Sequence, residues 1–237
     1  MIVSMHQPNY LPYLGFFQKM AAAELFIFLD VVQLTEGGYT RRVRIRTKEG
    51  SDWLSIPMPG ENRLAPIDRA GLLADERWRK KHRNLLTANY DGAPFFDREF
   101  VEEYYRRPFT TLREVNEHGI RYLMGRLGLS TPTMRSSDLP VDRTLKSTEL
   151  LVEILSRAGA DVFISGASGR NYLDESRFTE AGIEIRYLDF HPWPYPQRWP
   201  GFVPYLSALD LVFNVPPEEC RRMVSATDGE NSPLMQS

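Results

Sequence analysis

Cysteine is nearly absent: Cys220 is the single one in 237 residues. That excludes an intrachain disulfide and any multi-cysteine metal site, and it fits a reducing compartment. An excess of charge of one sign is also missing. Lysine and arginine number 29 against 31 aspartates and glutamates, for a formal net charge of -2. A nucleic-acid partner bound through global charge is therefore not expected. No apolar run approaches the roughly 20 residues of a membrane-spanning helix. No basic region precedes the first apolar segment, so a signal peptide is not expected and a cytoplasmic location is. The four histidines, His6, His82, His118 and His191, lack metal-ligand spacing, so no metal site is expected. No G-x-S-x-G elbow, internal repeat or low-complexity linker is present.

What the chain does have is an unusual opening. The short apolar run Met1 to Met5 breaks into His6-Gln7-Pro8-Asn9-Tyr10-Leu11-Pro12, and a helical pattern over residues 13–24 follows. A second apolar run, Leu25 to Leu29, ends at Asp30. Strand, helix and strand in about 30 residues make a βαβ unit with parallel strands. Apolar runs that are continuous rather than alternating suit strands covered on both faces. In open sheets of this kind, ligands bind beyond the carboxyl ends of the strands. A dense polar cluster at such an end points to a polar small molecule as partner.

Further along, residues 39–47 alternate, with Arg42, Arg44 and Arg46 on one face and Val43 and Ile45 on the other. A turn signal at 48–51 and an apolar return over 53–58 predict an antiparallel hairpin inserted after the first unit. Helices are expected over 75–90, with Asp75 as N-cap, and over 97–127, split at Pro108. A short strand is expected over 133–139, a helix from an N-cap at Ser147 to about 158, and a buried strand over 162–166. A short helix over 178–181, a strand over 183–188 and a closing helix over 202–213 complete the pattern. The last ten residues or so are polar and read as a frayed end. The fold class is thus α/β, with a parallel central sheet of Rossmann-like type, a hairpin insertion and a helical middle section. One domain over 1–214 and a tail over 215–237 are expected.

Each candidate residue has a functional and a structural reading. His6 is suited to general acid or base work by its unperturbed pKa, or caps the next helix. Gln7 and Asn9 either hold an amide, hydroxyl or carboxylate or satisfy the loop backbone. Asp30 either orients His6, binds a hydroxyl or holds a cation, or else serves as a turn residue. One arginine of the hairpin, Arg42 foremost, reaches an anion, or the trio is a solvated face. Trp78, His82 and Asn89 share a helical face, core in one reading and pocket wall in the other. Ser165-Gly166-Ala167-Ser168-Gly169-Arg170-Asn171-Tyr172 follows a buried strand, and its small residues allow backbone N–H groups to approach an anion. It is neither a P-loop nor a G-x-G-x-x-G turn. The stiff segment His191 to Gln197 either walls a pocket, with Gln197 inward, or packs on itself. Ser207, Asp210 and Asn214 share a face of the last helix.

These motifs together resemble the WbqC-like family. The resemblance starts at His6 to Phe17 and continues through Phe28 to Gln33, Arg42 to Ile45 and Trp53 to Pro57. It resumes from Ser165-Gly166 to Asp174, and ends at Tyr205 to Asn214. Val215-Pro216-Pro217 departs from it, because a glycine-containing turn is expected there. The resemblance implies a small-molecule transferase of bacterial surface polysaccharide (such as O-antigen) or secondary-metabolite biosynthesis, moving an acyl or aminoacyl group to an amino sugar or similar amine. In that setting His6 acts as base on the acceptor amine, with Gln7, Asn9 and Tyr10 positioning it. Arg42 and Arg170 hold anionic groups of a nucleotide-sugar or activated acyl donor, and Asp30 orients His6 or a hydroxyl. His82, Gly166, Ser168, Tyr172, Gln197, Ser207 and Asp210 complete the expected binding set. The βαβ opening is also similar to the nucleotidylyltransferase-like (HUP) superfamily, which implies adenylation or nucleotidyl transfer as the alternative. The usual second His-x-Gly-His element is replaced here by Tyr13-Leu14-Gly15-Phe16. A non-catalytic small-molecule-binding protein is the rival class.

Overall fold

Strand β1 (Ile2–His6) is the centre of the molecule, and its position follows from having apolar neighbours on every side. In the computed structural model, which describes residues 1–225, it pairs in parallel with β2 (Leu25–Phe28) and with β6 (Val162–Gly166). Strand β5 (Thr133–Arg135) extends the sheet beyond β2, and β7 (Glu184–Leu188) extends it beyond β6. The order is β5-β2-β1-β6-β7, parallel throughout. The chain first builds outward on one side of β1 and then returns to build on the other. The direction of winding therefore reverses between β1 and β6, which is where such sheets open a crevice.

Both faces of the sheet are covered, which explains the unbroken apolar runs. Helix α1 (Leu14–Ala21) lies on one face, where Phe16, Phe17, Phe26 and Phe28 share a core with Phe213 and Met223. The alternating residue Ile27 turns to the other face and joins Val3, Met5, Ile154, Leu155, Phe163 and Phe178. Each such side chain, fully buried, contributes about 1.5–3 kcal/mol relative to exposure. The second face is closed by α5 (Ser147–Arg157) and α6 (Glu175–Glu180).

The hairpin is present as β3 (Arg42–Thr47) and β4 (Gly50–Ser55), a separate two-stranded antiparallel sheet. The helical middle section is α2 (Arg77–Tyr90), α3 (Arg98–Arg106) and α4 (Leu112–Leu127). The break at Pro108 is followed by a capping box: the Thr111 side chain accepts from the Glu114 N–H, and Glu114 returns the bond. Gly128, at φ +68°, ends α4 in the left-handed conformation that glycine adopts without strain. Helices α7 (Ala208–Asn214) and α8 (Pro217–Ser225) complete the first face.

Several boundaries differ from expectation, each for a local reason. Helix α2 starts at Arg77 after Glu76, yet Asp75 still accepts from the Arg77 N–H at 2.9 Å. Ser147 is the first residue of α5 rather than its cap, with φ at +49°, and Lys146 precedes it with no capping side chain. Strand β5 stops at Arg135 because residues 136–138 turn into a 3-10 helix. The closing helix begins only at Ala208, since residues 202–206 run as a non-helical strap that bends at Tyr205 (φ +58°) and Ser207 caps the helix. Residues 217–225, expected within a tail, form α8, which buries Cys220, Met223 and Val224. The polar end read as frayed lies outside the described residues. Among the described residues, no helix is long and apolar enough to cross a membrane.

Candidate functional site

The loop leaving β1 is tied down from three directions. The Asn116 amide of α4 donates to the Pro8 and Thr40 carbonyls, each at 2.7 Å. The Tyr10 N–H donates to the Tyr39 carbonyl at 3.1 Å. The Ser207 hydroxyl donates to the Leu11 carbonyl at 2.7 Å, and the Ala208 N–H donates to the Pro12 carbonyl at 2.8 Å. These tethers hold Leu11 at φ +44°, a left-handed conformation that costs a non-glycine residue about 1–3 kcal/mol. A cavity of about 530 Å³ opens between this loop and the end of β6, at the winding reversal. Its size suits a small molecule of metabolite scale.

His6 and Gln7 enter the cavity wall from the end of β1. The His6 Nδ1–H donates to the Gln7 carbonyl at 2.9 Å, which leaves Nε2 as the ring's open acceptor. Burial, then the charge of Lys19, pushes the His6 pKa down to about 3, against the opposing bond to Gln7. The imidazole is therefore neutral at physiological pH. The Gln7 Oε1 accepts from the Thr40 hydroxyl at 2.9 Å, leaving its Nε2 as the unused end. Asn9 is 4% exposed, and its side-chain amide has no partner among the described residues.

Lys19, which the sequence reading passed over, is 5% exposed and lines the same cavity. It stands one turn after Gly15 on α1, so the two share a face, and both reach the cavity. Burial alone lowers its pKa to about 7. It has neither an ion-pair nor a hydrogen-bond partner among the described residues. The signal was available: a lysine in an eight-residue crossover helix that is apolar nearly all round has no easy route to solvent.

Arg42 joins from β3, its guanidinium 4.4 Å above the Trp53 ring and its Nε buried without a hydrogen-bond partner. The other two arginines of that face are engaged elsewhere. Arg44 donates to Ser51 across the hairpin, and Arg46 donates to the carbonyls of Thr47, Gly50 and Pro200. Gly166, at the end of β6, and Ala167 and Ser168, in a 3-10 turn rather than an open loop, form the opposite wall. Among the described residues, no aspartate or glutamate lines the cavity.

The mouth is aromatic. Tyr39, Tyr172 and Tyr205 line the cavity and remain 55%, 61% and 52% exposed. Tyr13 and Phe190 close the side beneath them, with ring centroids 5.4 Å apart. Tyr10 supplies only its ring to the wall. Its hydroxyl is held in the core by His82 Nδ1 at 3.0 Å and by the Tyr105 hydroxyl.

The structure thus brings His6, Gln7, Asn9, Tyr10, Arg42, Gly166, Ser168 and Tyr172 around one space. The other candidates lie elsewhere. Asp30 is fully buried and accepts from Ser136 Oγ and Ser137 N on one oxygen, and from Ser137 Oγ and Arg113 on the other. It locks the end of β2 to the 136–138 turn. His82 sits in the tyrosine cluster, its pKa lowered to about 4 by burial and by Lys81, against a backbone bond with Ser55. Arg170 pairs with Asp189 at 3.1 Å over the Tyr187 ring. Ser207 caps α7. Gln197 donates to Asp210, which also accepts from Tyr90 and Tyr195. Burial raises the Asp210 pKa to about 6, and its three donors oppose the shift. This second polar cluster anchors the strap that carries Phe190 and Tyr205 to the cavity.

Comparison with known proteins gives a consistent picture. Residues 7–222 match the profile of the WbqC-like protein family. The chain is 32% identical over 217 residues to a protein of Mycobacterium tuberculosis (strain ATCC 25618 / H37Rv) named "Uncharacterized protein Rv1507c". That match covers 90% of this chain and 93% of the mycobacterial one. No solved structure matches the chain significantly.

Proposed function

The chain belongs to the WbqC-like protein family, and we propose that its cavity is the active site of a small-molecule biosynthetic transferase. The reaction is transfer of an acyl or aminoacyl group to the amine of an amino sugar or similar acceptor, in bacterial surface polysaccharide or secondary-metabolite biosynthesis, in the cytoplasm. The observation that carries this reading is His6: a neutral imidazole with Nε2 as its open acceptor, set in a cavity where Lys19 and the Asn9 amide lack partners among the described residues.

In the step proposed, the acceptor nitrogen attacks the donor's acyl carbon and forms the new C–N bond. The proton lost from that nitrogen goes to His6 Nε2. Collapse of the tetrahedral intermediate breaks the bond to the leaving group, which departs with its electron pair and recovers the proton from His6. Gln7 and Asn9 hold the acceptor, and backbone N–H groups near Gly166 receive the oxyanion. The Lys19 charge weakens His6 as a base. A negatively charged donor beside Lys19 removes that opposition and raises the basicity when the donor is bound.

A thermal-shift series across ATP, sugar nucleotides and acyl-coenzyme A identifies the donor class, and turnover is then followed with amino-sugar acceptors. His6→Ala should lower kcat by about 10²–10⁴-fold, the usual range for a general base. Unimpaired turnover in that variant removes the proposed role. The second reading, adenylation or nucleotidyl transfer, draws on the position of the cavity at the winding reversal. It predicts stabilisation by ATP and release of pyrophosphate.

A further inference from the structure

Four observations at the cavity remain unused by the general-base role of His6. Lys19 is buried on α1 with no anionic partner among the described residues. The Arg42 Nε is buried with no hydrogen-bond partner among the described residues. The Asn9 amide, on a residue 4% exposed, also has no partner among the described residues. No carboxylate among the described residues lines the wall to neutralise either cation. Burying a cation without a counter-charge is costly, and proteins ordinarily avoid it by pairing. The other buried cations of this chain find acceptors: Arg46 donates to the carbonyls of Thr47, Gly50 and Pro200, and Arg79 donates to those of Arg107 and Phe109.

From this we infer that Lys19, Arg42 and Asn9 form a phosphate subsite, so that the ligand of the cavity is a phosphate ester or diphosphate carrying a ring. The inference rests on the proposed active site and deepens it by naming the substrate class. Lys19 contributes three N–H donors, Arg42 a guanidinium edge and Asn9 a further amide. A carboxylate offers only two oxygens to that many donors, whereas a terminal phosphoryl group offers three. Helix α1 adds to the same field, since its first turn starts at the cavity with no capping side chain and no acidic residue. Tyr39, Tyr172 and Tyr205, half-exposed at the mouth, give the ring of the ligand faces to stack on. Arg170, the arginine of the 165–172 segment, is already paired with Asp189, so Lys19 takes the place expected for it.

The test reads binding alone and needs no turnover. The full-length protein is titrated calorimetrically with inorganic pyrophosphate and, separately, with succinate, at pH 7 and low salt. The expected result is saturable pyrophosphate binding that is tighter than succinate binding, with affinity falling at least about tenfold in Lys19→Met and again in Arg42→Met. Thermal melts establish that each variant is folded. If Lys19→Met does not fold, Arg42→Met carries the decision. Absence of pyrophosphate binding by the wild-type protein, equal binding by the folded variants, or a preference for succinate overturns the inference. A failure here leaves the base role of His6 to its own kinetic test, and loss of that role leaves the pyrophosphate result intact.

Discussion

Gly166 lies against Lys19: a methyl group added at the glycine would stand 3.9 Å from the lysine Cδ. This contact joins the helix after β1 to the end of β6, and it places an amine beside the turn that the sequence marks as an anion-binding candidate. The same neighbourhood raises the cost of charging Lys19, and the consequences can be measured.

Lys19→Met should make the protein more stable while disabling its cavity. The folded pKa of Lys19 is lowered from 10.5 to about 7, so the unfolded chain binds more protons between those values. Wild-type stability should therefore rise as pH increases from about 7 towards 10.5, and this component should vanish in the variant. At pH 7 the gain is on the order of 1–4 kcal/mol, read from denaturant midpoints. A less stable Lys19→Met protein contradicts the strained-lysine account.

Asp210 should impose the opposite dependence. Its folded pKa is raised from 3.8 to about 6. Its contribution is thus fully present below pH 4 and lost as pH rises through 6. Asp210→Asn should flatten the stability profile across that window. Asp210→Ala leaves the Tyr90, Tyr195 and Gln197 donors without their acceptor and should cost ~2–4 kcal/mol.

Ser207→Ala should lower stability by ~1–3 kcal/mol, because one hydroxyl both caps α7 and holds the Leu11 carbonyl. Its effect on ligand binding should exceed what unfolding explains, since Leu11 lies in the loop that presents His6. Hydrogen exchange of residues 7–13 provides the readout: increased exchange there is expected, and unchanged protection counts against the tether.

Gly15→Ala should disturb the cavity through the strap. The added carbon would stand 2.5 Å from the Tyr13 Cε2 and 2.7 Å from the Phe190 Cγ, too close without displacement of both rings. Overpacking of this kind costs ~1–3 kcal/mol. Ligand affinity should fall along with the melting temperature, and a variant that matches wild type in both would show that the Tyr13 and Phe190 rings yield freely.

Much of this architecture could be read from hydrophobic pattern, for physical reasons. Leu25 to Phe28 had to be covered on both faces, and the Arg42–Ile45 alternation had to be a two-sided hairpin. Cavity residues next to strand ends, such as His6, Gln7 and Gly166, follow from the general placement of sites in open sheets. Residues that act through distant partners are less visible. Asp30 looks like a site residue at a strand end until Ser136, Ser137 and Arg113 are seen to take its oxygens. Lys19 looks like an ordinary helix cation until both faces of its helix are found to be covered. Phe190 and Tyr205 belong to a strap whose course is set by Asp210, and no local pattern encodes that course.

The Ser207–Leu11 bond also bears on synthesis. It unites positions 196 apart in the chain, so a nascent polypeptide emerging from the ribosome carries its histidine loop without this fastening until α7 has been made. Contacts of such long range are slow to form. Ligand competence should therefore appear late and abruptly during translation, and chains released before α7 should be inert towards ligand even where their central sheet has already assembled.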